Sequence, residues 1–104
     1  MNKQSLEEFI AFSEETFSKK IIMKGEKSTV FLLNFEPGQS LPPHPHPNAD
    51  VYAVVWEGSG VFMINKESFQ AEKGTVVHCR GEETLSFRND SNQRTTLYVT
   101  LAKD

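Results

Sequence analysis

The chain has 104 residues, with 14 acidic against 11 basic side chains and a net charge of −3, so it lacks the basic footprint that nucleic acid or anionic lipid requires. No apolar run approaches the length of a membrane span, and residues 1–5 are too polar for a signal peptide. One cysteine, Cys79, excludes an internal disulfide and fits a reducing, cytoplasmic compartment.

The length suits one domain over residues 1–104, large enough for a core and small enough to gain from a partner subunit. At the N-terminus, "SLEEFIAF" offers Ser5 and Glu8 as a capping box, with Leu6, Phe9 and Ile10 at helical spacing. Phe9 and Phe12 equally suit an edge strand or an arm, so residues 1–15 are expected as a short helix or an arm. From about residue 17 onward the pattern is short strands with regular punctuation. "TFSKKIIMK" (16–24) and "STVFLLNF" (28–35) flank the turn "GEK". "DVYAVVW" (50–56) runs into "EGSG", whose glycines suit a tight connection. "VFMINK" (61–66), "SFQAEK" (68–73), "TVVHCR" (75–80), "TLSFRN" (84–89) and "RTTLYVTLA" (94–102) complete the series, separated by Gly74, "GEE" and "DSNQ". Strands at this spacing, rich in Val, Phe, Thr and Leu, predict an all-β barrel or sandwich.

Between residues 41 and 50, "LPPHPHPNAD" interleaves His44 and His46 with four prolines. Proline fixes φ near an extended value and pushes the preceding residue the same way, and a strand points residues i and i+2 to one face. The two imidazoles should therefore share a side of a stiff segment. That arrangement is half of a metal site, or it is a proline-blunted strand edge whose histidines face water.

The stretch "GQSLPPHPHPNADVYAVVWEG" resembles the first motif of the small cupins, G-x5-H-x-H-x3,4-E-x6-G, with Gly38, His44, His46 and Gly58 in place. "GTVVHCRGEETLSFRN" resembles the second, G-x5-P-x-G-x2-H-x3-N, with Gly74 and Asn89 at its ends. The resemblance implies a jelly-roll barrel, the double-stranded β-helix, over residues 17–104. It also implies three histidines and one glutamate around a divalent metal inside that barrel. Here Val51 stands at the glutamate position and Leu85 at the second-motif histidine, while Arg80 and Glu82 replace the motif's proline and glycine. His44 and His46 carry over as the metal-facing pair.

Three residues are candidate substitutes. Asp50 reaches inward only if the "PNAD" turn shifts register by one, because neighbouring strand residues face opposite ways. His78 lies on the outward positions of its strand and is expected at the surface or an interface. Cys79 is expected to face inward, as a zinc or copper ligand or simply as a small hydrophobe. Two imidazoles can hold zinc, nickel, copper, iron or manganese, but weakly, because tight sites supply three or four protein ligands. With Val51 and Leu85 apolar, and with Phe87 and Cys79 beside them, the cavity should suit a small apolar or aromatic molecule.

Two function classes follow. One is a small-molecule-binding barrel with a degenerate metal site. The other is a metal-dependent enzyme, of oxygenase or isomerase type as the resemblance implies. No nucleophile–base pair or phosphate loop points to other chemistry. Both faces of "DVYAVVW" are apolar, so this strand must be covered on both sides, by the barrel interior and by the N-terminal segment or a second subunit. A two-fold homodimer is expected.

Overall fold

Alternating apolar and polar residues become strands along nearly the whole chain in the computed structural model, which describes residues 1–104. The strands are β1 (Ser18–Lys24), β2 (Ser28–Phe35), β3 (Ser40–His44), β4 (Ala49–Glu57), β5 (Ser59–Ile64), β6 (Glu67–Glu72), β7 (Val76–Cys79), β8 (Leu85–Arg88) and β9 (Thr95–Lys103). They form a five-stranded sheet in the order β1-β2-β9-β4-β7 and a four-stranded sheet in the order β3-β8-β5-β6. Every pairing is antiparallel, and the two sheets close over one core as a jelly-roll, the double-stranded β-helix. No helix is long and apolar enough to cross a membrane.

The core follows from the period of two. On β2, Phe31, Leu33 and Phe35 face inward, as do Val51, Ala53 and Val55 on β4, and Leu97 and Val99 on β9. From the opposite sheet come Phe62, Leu85 and Phe87. Phe87 joins the layers, with its ring centroid 5.0 Å from Phe35 and 4.8 Å from Phe62. Gly60 on β5 lies against that ring, where a methyl group would overlap Phe87 and the Arg88 carbonyl. Buried Asn89 closes the β8–β9 turn. Its Nδ2 donates to the carbonyls of Phe35 (3.2 Å) and Gln93 (2.7 Å), and its Oδ1 accepts from the Ser91 N–H and hydroxyl.

The N-terminal segment is an arm with a single 3-10 turn, Leu6–Phe9, and the expected capping box does not form: Ser5 makes no side-chain capping bond. Tertiary hydrogen bonds favour the extended arm over a helix. Asn34, fully buried on the outer face of β2, donates to the Phe9 carbonyl at 3.1 Å, and Gln39 donates to the Ser13 carbonyl at 2.6 Å. Thr96 of β9 completes the latch by donating to Asn34 Oδ1 at 2.9 Å. Arg94 pairs with Glu36 at 3.0 Å and stands over the Phe12 ring. The arm thus covers the β2–β9 part of the outer face. The β4–β7 part stays bare, with Tyr52, Trp56 and Val76 exposed.

After β3 the chain turns through His46, Pro47, Asn48 and Ala49. Ala49 N–H donates to the His46 carbonyl at 3.0 Å, and Asn48 has φ 65°. Proline second and a positive-φ asparagine third make a type II turn. The turn sits on buried Gly81, whose carbonyl accepts from His46 N–H at 3.1 Å. A Cβ at Gly81 would lie 2.7 Å from the His46 carbonyl oxygen and 2.9 Å from that of Ala49. Gly81→Ala should therefore displace the turn and lower the stability by about 1–3 kcal/mol, the usual cost of overpacking a tight site. Urea denaturation checks this, and an unchanged midpoint would show that the turn does not rest on Gly81.

Candidate functional site

Beside the packed core the barrel holds a cavity of about 390 Å³. Its walls are inward side chains already described, among them Phe31, Leu33, Val51, Ala53, Phe62, Leu85, Phe87 and Val99. Its rim is Phe17, Lys19, Leu41, Pro42, Pro43, His44 and His46. Eleven of the 16 lining residues are hydrophobic, and no Asp or Glu is among them. The whole polar side-chain content of the cavity is therefore one ammonium and two imidazoles.

A break in strand register aims His44 at this space. On β3, Leu41 pairs with Phe87 and His44 pairs with Leu85, so three residues of β3 span two of β8. The extra residue is a bulge at Pro42–Pro43, on a sheet edge where missing N–H groups cost no ladder bond. Strict alternation from inward Leu41 would turn His44 outward; the bulge restores it to the cavity face. His44 Nδ1 lies 2.8 Å from the Pro42 carbonyl oxygen. A carbonyl only accepts, so Nδ1 carries the proton and the Nε2 lone pair is free.

His46 lies beyond the end of the strand, in the turn held by Gly81. The two imidazole centroids are 4.4 Å apart, and both rings are half-buried. His46 Nδ1 is the only buried side-chain nitrogen or oxygen in the chain with no hydrogen-bond partner. Burial holds the His46 pKa below its ordinary value, and the charges of His44 and Lys19 push in the same direction.

Val51 and Leu85 both line the cavity, and Phe87 serves as core contact and cavity wall at once. Asp50 does not turn inward. In the β4–β9 register it pairs with Ala102 while Val51 pairs with Leu101, and its carboxylate faces His78 Nε2 on the outer face at 3.4 Å. His78 stacks there on Tyr52, centroids 4.6 Å apart. Cys79 is fully buried in the core but does not line the cavity; its Sγ lies near the carbonyls of Arg80 and Glu83. Burial, helped by Glu83, Glu82 and Asp50, raises the Cys79 pKa, which favours the protonated thiol. No three His, Cys, Asp or Glu side chains converge anywhere on a common point. A four-ligand metal centre therefore does not fit these residues; two imidazoles are what the cavity offers.

Sequence reasoning leaves out Lys19. Its signal lies in the β1–β2 hairpin, where Lys19 pairs with inward-facing Leu33 and so shares the cavity face. The ammonium stands over the Phe31 ring, 4.5 Å from its centroid.

The family described as "Cupin domain" matches residues 31–101. The chain is similar in structure to TT1209 from Thermus thermophilus at 22% identity and a TM-score of 0.94, covering 99% of this chain and 98% of that one. It is similar to an RmlC-like cupin protein from Desulfovibrio desulfuricans at 25% identity and a TM-score of 0.86, covering 98% and 96%. KdgF from Halomonas sp. is similar at 14% identity and a TM-score of 0.77, covering 88% and 83%. No curated protein matches the chain.

The lowered His46 pKa makes stability depend on pH. The unfolded imidazole titrates near ~6.5 and the folded one lower, so in that window the unfolded chain binds more protons. The contribution is fully present above the unfolded pKa and is lost as pH falls through the folded one. Lowering the pH from about 7.5 to 5.5 should destabilise the parent more than His46→Gln, in which no imidazole can charge. Denaturant midpoints at the two pH values check this; equal losses in both proteins would remove His46 as the source.

Proposed function

The chain belongs to the cupin domain family, and on that premise we propose that it binds a small, largely apolar molecule inside its barrel, with His44 and His46 as polar contacts. The carrying observation is that Val51 and Leu85, at the two family ligand positions lacking a ligand, both line the same cavity as the histidines. A cavity of about 390 Å³ is at the small end for ligand sites, which start near ~300 Å³, and so suits a single ring or a short chain. A divalent ion such as zinc, nickel, copper, iron or manganese would be held only weakly by the imidazole pair. A metal-dependent oxygenase or isomerase would need ligands that these residues do not supply. The single free cysteine, Cys79, suits a reducing cytoplasm.

Titration with uncharged indole, followed by amide NMR, tests this reading. Indole should shift resonances of Val51, Leu85 and their neighbours, and Ala53→Leu, which adds bulk to the wall, should weaken binding several-fold. Zinc should add little stability, and His44→Ala with His46→Ala should abolish what it adds, by mass action. Indole binding equally to parent and Ala53→Leu would defeat the cavity reading. Strong zinc stabilisation would favour the metal enzyme.

The same strand supports a homodimer. Tyr52, Trp56 and Val76 are 42%, 46% and 63% exposed on the part of the outer face that the arm leaves bare. A second copy related by a two-fold axis would cover this patch with itself. Sedimentation equilibrium should give twice the mass of one chain, and Trp56→Glu with Val76→Glu should give the mass of one. A parent sedimenting as a single chain would overturn the dimer.

A further inference from the structure

We propose that the cavity selects an amphiphilic anion, a ring-sized apolar body ending in a carboxylate, with the carboxylate held at the rim by Lys19. The inference rests on the cavity-binding reading above and adds the charge of the occupant.

Three observations point to it. The first is the asymmetry of the lining. The chain has more acidic than basic residues, yet the cavity's charged or polar side chains are all nitrogen groups, with no carboxylate among them. The second is the state of Lys19. Its exposed ammonium, like those of most lysines in the chain, has no carboxylate within ion-pair distance. It rests on the face of Phe31, which itself lines the cavity, so the charge is held over an apolar wall. The third is the imidazole pair, His44 and His46, which completes the polar part of the lining and brings no negative charge to it.

The walls and the rim divide the work. The apolar walls take the body of the ligand, which any small hydrophobe satisfies. Lys19 discriminates, because an acidic end group meets its ammonium with a charge-assisted hydrogen bond that a neutral end group cannot match. A cationic ligand would meet only repulsion.

The test compares phenylpropanoate with its uncharged analogue phenylpropanamide by isothermal titration at pH about 8. The carboxylate should bind about tenfold more tightly than the amide, the worth of one charge-assisted hydrogen bond, with the preference shrinking in high salt. Lys19→Met keeps the aliphatic stem and should erase the preference, bringing the ratio of the two affinities to about one. Lys20→Met removes the same charge from the opposite face of β1, where Lys20 pairs with Leu32, and should keep the preference. Equal binding of the two probes to the parent would overturn the anion inference and leave the apolar cavity standing. A preference that survives Lys19→Met would overturn it as well. If neither probe binds, the cavity reading falls and the inference falls with it.

Discussion

Phe87 decides where the core of this barrel ends. Its ring meets Phe35 across the two sheets and Phe62 on the neighbouring strand of its own sheet, both in tilted geometry. Val55, Ala71, Val77 and Cys79 belong to the same buried cluster and do not line the cavity. The Phe87 ring belongs to both, as a core contact and as a wall of the cavity. The close approach is possible because Gly60 on the neighbouring strand has no side chain to collide with the ring. Packed core and open cavity thus meet at one side chain.

The strands were legible because burial on one face imposes a period of two, and a one-residue slip would expose the whole apolar set. In "STVFLLNF" the inward Phe31, Leu33 and Phe35 stand out, and in "DVYAVVW" the inward Val51, Ala53 and Val55 do. Where alternation breaks, legibility stops. His44 reaches the cavity only through the added residue at Pro42–Pro43, and His46 only through a turn seated on Gly81. Neither orientation follows from an extended run of prolines. The N-terminal arm is a different case: the local preference of "SLEEFIAF" for a helix is overridden by Asn34 and Gln39, residues distant in sequence that take up backbone carbonyls of the arm.

Lys19 shows why charged residues on edge strands are hard to read. In "SKKIIMK", two adjacent lysines look like an ordinary solvated edge, a common device against edge-to-edge pairing. Their difference arises only from pairing, since Lys19 lies opposite inward Leu33 and Lys20 opposite outward Leu32. The same hairpin register that buries Phe31 carries one ammonium to the cavity rim and leaves the other outside.

The exchange of polar ligands for Val51 and Leu85 also changes what the barrel interior must tolerate. A cavity lined by a buried carboxylate and three imidazoles needs a cation to satisfy those groups, and its fold becomes linked to the metal. Val51 and Leu85 remove that need, because apolar walls make no demand for partners. What remains unmet is one nitrogen, His46 Nδ1. A single unpartnered buried group costs about 1–3 kcal/mol, which a domain of this size can bear. That unmet capacity is confined to one atom sealed from solvent, so the charge available at the cavity is that of Lys19, which an acidic ligand can pair without displacing a native ion-pair partner.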